Sequence, residues 1–398
     1  MHVLWISPYA PYDTVGHAGG KNHNYYLKYI KKNTNYDITL ISICVKSEIA
    51  NLDLDRYGID YIIMTYNRWT PISLIEDVFG LVKIKRDGGL LGNRKYHLLL
   101  SALKQYVESG KKPDVIITQW TDATLIYDTL KELFPDSKYI AIEEDVAFLG
   151  YKRKYENSNG LFRAYNKKRY DFLKLAEIRT LSNYDLVVAL NDQDRDLLIS
   201  EGIQSKSVLR MSSYHELFKE NVYQPDLHKL LFYGAMSRPE NYKSAIWFIE
   251  NVMSKLDDRY SLVVVGSNPS EELIKLKSNR VTITGFVSSV APYFEQSLCL
   301  VAPLLLGAGT KIKVLEALSA GLPVLTNDIG AEGISLTNGD NYLHCESADD
   351  YVNAIKDLTS NEELRNKISH NGRAHVMMHF DADASLDMLI GRLKEYEQ

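Results

Sequence analysis

At 398 residues the chain is too long for one ordinary domain and suits two. Hydrophobic residues make up 45% and charged residues 24%, a balance that excludes a long disordered chain. A net charge of −5 excludes a molecule built as a whole to coat nucleic acid, so no nucleic-acid partner is expected.

The three cysteines, Cys44, Cys299 and Cys345, lie far apart in apolar runs. They offer neither a disulfide framework nor a metal-ligand spacing and read as reduced core residues of a cytoplasmic protein. The opening MHVLWISPYAPYD has no lysine or arginine ahead of its apolar run and breaks at Pro8 and Pro11, which makes a poor signal peptide and a good first buried strand. No apolar run approaches the roughly 18 residues that would span a bilayer, so any membrane contact is expected to be peripheral, on the inner face.

Strand-like and helix-like segments then alternate. His2 to Ile6 reads as a strand, followed by a Pro/Gly loop and a helix from about Lys21 to Lys32. Asp37 to Ile43, Tyr61 to Met64, Asp114 to Thr118, Tyr139 to Ile142 and Leu186 to Leu190 continue the first series. A second starts after the turn-rich Tyr223-Gln224-Pro225-Asp226, with strands at Lys229 to Tyr233, Tyr260 to Val265, Val281 to Thr284, Leu298 to Ala302 and Pro323 to Thr326. Short apolar strands separated by helices mark parallel sheets covered on both faces. The pattern predicts an α/β protein with two Rossmann-like domains, 1–222 and 223–380. A final amphipathic helix, 381–398, is expected to pack on one of them. Ligands of such sheets bind at the carboxyl ends of the strands, so a cleft between the domains is the expected active site.

Residues 307–324, GAGTKIKVLEALSAGLPV, follow the buried Leu298-to-Ala302 strand. Thr310 reads as the N-cap of a helix beginning near Lys311. Free N–H groups of the first turn, the helix dipole, and Lys311 and Lys313 favour an anion there, and Gly307 and Gly309 let it approach the backbone. Glu316 stands one turn past Lys313, where a carboxylate can accept two hydrogen bonds from a vicinal diol such as a ribose. A nucleoside diphosphate satisfies both features. A Lys313–Glu316 surface pair at an ordinary strand-to-helix corner satisfies the sequence equally well.

The longer segment GAGTKIKVLEALSAGLPVLTNDIGAEGI closely resembles the donor-binding signature of the GT-B glycosyltransferases, in particular the GT4 family and its bacterial sugar-transferase branch. VLWISPYAPYDTVGHAGGKNHNYYL resembles that family's first strand and glycine loop, and LLFYGAMSRPENYKSAIWFIENV the opening of its C-terminal domain. The resemblance implies a GT-B fold, two Rossmann-like domains facing across a cleft. It implies transfer of a sugar from a UDP-, GDP- or dTDP-linked donor to a glycan or lipid-linked acceptor, with retention and without a metal or other cofactor, in capsular, cell-surface or protein-glycan synthesis. Position by position, Glu316 would hold the donor ribose. Gly309 and Thr310 would present N–H groups to the diphosphate, and Lys311 or Lys313 would supply charge. Gly285, Phe286 and Val287 would line the base pocket, and Gly19 and Gly20 would approach the donor from the other domain. The family's second glutamate falls on Ala308, its arginine on Ala235 and its lysine on Glu240, which leaves Arg238 and Lys243 nearby as substitutes and Lys311 and Lys313 as the candidates to offset the diphosphate. A histidine usual after a mid-domain strand is replaced within IAIEEDVAFLGY, so one of Glu143, Glu144 and Asp145 is expected to meet the acceptor or the transferred sugar. The catalytic set implied is Glu144, Lys313 and Arg238. A nucleotide-sugar 2-epimerase on the same scaffold and a non-catalytic partner subunit are the rival readings.

Three further segments carry weaker signals. NDQDRD at 191–196 contains a DxD pattern able to hold Mg²⁺, but Asp192 and Asp194 equally suit the first turn of a helix, and DLD at 53 and DAD at 381 show how common the pattern is. The segment 151–174, YKRKYENSNGLFRAYNKKRYDFLK, interleaves basic and aromatic residues and is expected to combine packing aromatics with a face for an anionic membrane surface. His17 and His23 flank the first glycine loop, where His23 is a candidate acceptor contact.

Overall fold

Continuous apolar runs become the strands of two parallel sheets. The computed structural model describes residues 1–15, 18–67, 92–156, 158–305 and 310–397. The chain divides into two units, Met1–Tyr214 with Ala382–Gln398, and His215–Asp381.

The first unit holds β1 (His2–Ser7), β2 (Asp37–Val45), β3 (Asp60–Tyr66), β4 (Val115–Gln119), β5 (Lys138–Glu143), β6 (Leu186–Ala189) and β7 (Val208–Arg210). They pair in the order β3-β2-β1-β4-β5-β6-β7, parallel throughout. The order turns back between β1 and β4, the point at which a parallel sheet opens a crevice at its carboxyl edge. Side chains alternate across the sheet. Leu4, Ile6, Ile116 and Ala141 enter one core, and Val3, Trp5, Ile117 and Ile140 the other.

The second core is closed by the helix Ala382–Lys394, whose Leu386, Leu389, Ile390 and Leu393 pack beneath Tyr26, Leu27 and Ile30. Polar ties fix its register. The Ser212 N–H donates to Ser385 Oγ at 3.0 Å, and the hydroxyls of Tyr25 and Tyr29 donate to Asp383 and Asp387.

The second unit holds β8 (Asp226–Tyr233), β9 (Ser261–Val265), β10 (Val281–Gly285), β11 (Ser297–Ala302), β12 (Val324–Thr326) and β13 (Leu343–His344). These are parallel in the order β10-β9-β8-β11-β12-β13, turning back between β8 and β11. Residues 215–222, placed with the first domain on sequence, belong to this unit because Leu217, Phe218 and Val222 pack on its core. The sequence reading ended the first series at Leu190 and the second at Thr326, and each sheet adds one more edge strand. β7 and β13 are three and two residues long and only half-buried, too short for a periodicity to show.

Leu389 is fully buried and Met388 half exposed on the same helix. Leu389→Ala is expected to cost about 3 kcal/mol through lost transfer energy and the cavity left behind. Met388→Ala should be close to neutral. Urea unfolding followed by circular dichroism reads the difference.

Candidate functional site

The carboxyl ends of β8, β9 and β10 in the second unit are drawn edge to edge by glycine. Gly234 N–H donates to Val265 C=O and Gly266 N–H to Gly285 C=O, each at 3.1 Å. A Cβ on Gly266 would lie 1.7 Å from the Gly234 carbonyl oxygen, and one on Gly234 would lie 3.0 Å from the Asn241 amide. Asn241 is buried on the helix Pro239–Phe248. Its Nδ2 donates to Ala235 C=O at 2.9 Å, and its Oδ1 accepts from Lys313 Nζ at 2.6 Å.

Lys313 rises from the helix Ile312–Ser319, which follows β11. Lys311, in extended conformation, occupies the N-cap without a side-chain cap, and its carbonyl accepts from Val314 N–H at 2.9 Å. The N–H groups of Ile312 and Lys313 therefore precede the first intrahelical bond, as expected at a helix start. Thr310, read from sequence as the cap, stands one residue upstream. A Cβ on Gly333 would come within 2.6 Å of its hydroxyl, so that oxygen lies against the Gly333 turn.

Burial lowers the Lys313 ammonium to about 8; Lys311 and Arg238 push the same way, and Glu240 opposes them. Its Nζ also lies 5.3 Å from the centroid of the Phe232 ring. Lys311 is nearly buried and ion-paired with Glu332 at 3.4 Å. Arg238 is 68% exposed and paired with Glu240 at 2.7 Å. Glu316, half-buried, hydrogen-bonds the Tyr233 hydroxyl at the end of β8; burial, together with this carboxylate, raises the phenol. Lys313 and Glu316 thus each reach a different group beside the end of β8, which a surface pair would not do. Gly285 has φ +72° with open space where a Cβ would be, Phe286 is 80% exposed, and Val287 packs on the core. Gly307 and Gly309 lie outside the described residues, as does His17.

In the first unit the ends of β1, β4 and β5 gather carboxylates under aromatics. Glu144 accepts from Asn22 Nδ2 at 2.8 Å and from Gln119 Nε2 at 2.6 Å, and Gln119 in turn accepts from Trp5 Nε1 at 3.2 Å. Burial pushes its carboxyl up to about 7 against those two bonds. A Cβ on Gly19 would stand 3.0 Å from the Trp120 ring and 3.2 Å from Glu144 Oε2, so this glycine makes room for that network. Gly20 is buried beside it. Trp120 carries φ +69°, a conformation costly for a residue with a Cβ.

Glu143 is fully enclosed. One oxygen accepts from the Thr121 hydroxyl, and the other, Oε1, has no hydrogen-bond partner among the described residues. Burial raises this carboxyl too, to about 7, with Thr121 and Thr124 opposing. Glu177 accepts the Ala147 and Phe148 N–H groups, each at 3.0 Å, capping the helix Ala147–Glu156. Burial, then the Glu143 charge, holds it well above the usual carboxylate range. Asp145 is exposed. His23 is fully buried and serves the turn after β1, its Nδ1 3.1 Å from the Tyr9 carbonyl, so it is withdrawn from any acceptor.

Asp192 and Asp194 open the helix Asp192–Ser200, where Asn191 caps the Asp194 N–H at 2.7 Å and Arg195 pairs with Asp192 at 2.7 Å. That accounts for the DxD pattern as a helix start. Elsewhere, Asp328, His344 and Glu346, at the ends of β12 and β13, bring ligand-type atoms within 4.8 Å of one another.

Residues 228–361 match the family Glycosyl transferases group 1. The second unit is a group 1 glycosyltransferase domain. Over 297 residues the chain is 22% identical to an uncharacterized 44.6 kDa protein in the cps region of Klebsiella pneumoniae, covering 69% of this chain and 73% of that one. Over 232 residues it is 24% identical to O-antigen chain mannosyltransferase C of Escherichia coli, covering 54% and 57% respectively, so the match spans little more than half of that relative. Among solved structures, Anabaena HepE in complex with UDP superposes with a TM-score of 0.61 at 13% identity, covering 99% of this chain and 100% of the other. The fold is GT-B, and its second unit carries the group 1 glycosyltransferase match.

Sequence reasoning missed Asn241, Tyr233, Gly266 and Trp120. The asparagine and tyrosine belong to no spacing with Lys313 or Glu316, and only the paired strand ends bring them there. Gly234 and Gly266, each closing a strand, were the readable signal.

The Glu143 carboxyl, raised when folded from about 4.5 to about 7, contributes stability that is complete below 4.5 and lost as pH rises through 7. The stability of the native protein relative to Glu143→Gln is therefore expected to fall between those values and level off above them. Thermal melts of both proteins across that range check the sign.

Proposed function

We propose that the protein transfers a hexosyl group from a nucleoside diphosphate sugar to a hydroxyl of a glycan or lipid-linked acceptor, in the synthesis of a cell-surface polysaccharide. The observation that carries this reading is one short helix at the carboxyl edge of the second sheet. It offers first-turn N–H groups that precede the first intrahelical bond, a half-buried lysine and, one turn later, a carboxylate against the end of β8. The diphosphate suits the first two, since helix N-termini attract anions. The ribose diol suits the third. HepE was solved with UDP and, in a second structure of TM-score 0.57 and 12% identity, with UDP-glucose, which supports a donor of this class. The relatives in the cps region and in O-antigen synthesis support the polysaccharide setting.

The bond from the sugar C1 to the diphosphate oxygen breaks while a bond from C1 to the acceptor oxygen forms. The acceptor proton passes to the departing phosphate oxygen, and retention follows if both events occur on one face of the ring. Lys313, whose ammonium burial lowers to about 8, is held more firmly in its charged form beside the leaving group and so favours the charge that develops there. Lys311 and Arg238 are the supporting cations, each drawn from an existing carboxylate pair. No step calls for a metal ion. Glu144, held on both oxygens, is assigned to orienting the sugar or acceptor at the first unit's strand ends.

A ligand at a hundred times its Kd adds about 2.7 kcal/mol of stability. A thermal-shift screen of UDP, GDP and dTDP should give a clear rise with at least one of them. Glu316→Ala should lose most of that rise, and Glu156→Ala, an exposed position in the first unit, should keep it. Absence of a shift with all three contradicts the reading.

A further inference from the structure

The helix Gly160–Leu181 has an outer face that does not look like a solvated surface. Leu161 is 90% exposed, Phe162 77%, Leu175 71% and Phe172 40%. Leu161, Lys168 and Leu175 recur every seven residues, as do Phe172 and Arg179, and eleven residues separate Leu161 from Phe172, so all five share one stripe. On the opposite side Leu173, Glu177 and Leu181 are buried in the first unit's core. Of the aromatics expected on sequence to pack, Tyr151 and Tyr170 do turn inward onto that core, and Arg169 lies over the Tyr151 ring at 4.6 Å. What faces out is leucine and phenylalanine, interleaved with lysine and arginine.

The charge pattern selects among occupants. This one helix carries six basic and two acidic residues in a chain whose net charge is −5. Of the two acids, Glu177 is buried and Asp171 is ion-paired with Lys167 at 2.8 Å. Lys168 and Arg179 are exposed on the stripe itself, and Arg179 lies 3.9 Å from the exposed Asp128, a solvent-screened contact that leaves it open to a headgroup. Apolar side chains that enter the acyl boundary, with cations beside them for lipid headgroups, are the pattern of a helix lying in the plane of an anionic bilayer.

We propose that the stripe formed by Leu161, Lys168, Phe172, Leu175 and Arg179, with Phe162 at its edge, seats the protein on an anionic lipid surface. The seat lies on the first unit, whose strand ends carry the Glu144 assigned above to the sugar or acceptor, so it gains its purpose from the transferase reading, in which a lipid-linked acceptor is met at the membrane. Physically it stands apart from that reading.

The test is co-sedimentation of the purified full chain with phosphatidylcholine vesicles, with and without phosphatidylglycerol. Binding is expected with the anionic lipid and to weaken as salt rises. Leu161→Gln, Phe172→Gln and Leu175→Gln combined should weaken partitioning at least tenfold or so, because the buried apolar area is lost. Lys168→Glu with Arg179→Glu should do about the same through charge. All five positions are exposed, and a thermal melt verifies that each variant is folded; should the apolar variant fail to fold, the charge variant decides. No binding of the native chain to anionic vesicles overturns the proposal, as does binding unchanged in both variants. A dimer of the native chain that the apolar variant abolishes, without any vesicle binding, would assign the stripe to a second copy and overturn it too. A nucleotide-induced thermal shift in the same preparation separates the two readings: a shift without vesicle binding sinks the seat alone, and vesicle binding without a shift sinks the transferase site alone.

Discussion

An ammonium group taken out of water with one amide oxygen at 2.6 Å and an aromatic face beside it is the constraint on which the second unit's site depends. A buried lysine shifts toward its neutral form unless an anion comes close. Lys313 has been moved in that direction, and the carboxylate nearest in charge, Glu240, is occupied by Arg238. The helix that carries Lys313 is anchored in the core by Val314, Leu315, Ala317 and Leu318, which fixes where the lysine leaves the backbone. A phosphate is the guest that such a position favours, and the glycine-closed ends of β8, β9 and β10 clear the floor beneath it.

Glu316 shares the rigidity. One turn along the same helix it meets Tyr233, the last residue of β8, so that its carboxylate is oriented by the strand edge. Spacing between an anion site and a diol site is then fixed by helix rise, about 1.5 Å per residue, instead of by loop conformation. Sites held on packed elements keep their geometry better than sites held on loops.

The apolar runs of β1, β4, β5, β8, β9 and β11 were legible because a strand buried on both faces has little choice but to be continuously hydrophobic. Glu316 was legible because a carboxylate in an apolar helix contrasts with its surroundings. Asn241 and Tyr233 were not, since an amide and a phenol become site residues only through partners some seventy and eighty positions away. The amphipathic stripe of Ala382–Lys394 could be read, but not which unit it covers, because helical spacing marks an apolar face without naming its partner. In the 151–174 segment the expected packing aromatics are Tyr151 and Tyr170, which turn inward, whereas Phe162 and Phe172 stay exposed beside Leu161. In the first unit, the adjacent Glu143 and Glu144 could be singled out but not told apart. Their difference lies in partners: Glu144 is held by two amides, whereas Glu143 has a hydroxyl on one oxygen only.

The contact between Glu316 and a ribose diol is tested most directly by titration calorimetry of the nucleoside diphosphate that binds best against its 2′,3′-dideoxy analogue, on the native chain and on Glu316→Ala. Hydrogen bonds to a charged group are worth about 1.5–3 kcal/mol. The native chain should therefore bind the analogue at least about tenfold more weakly, and Glu316→Ala should bind both ligands alike. An equal loss on removing the hydroxyls in both proteins would show that the diol is held elsewhere and would contradict the account.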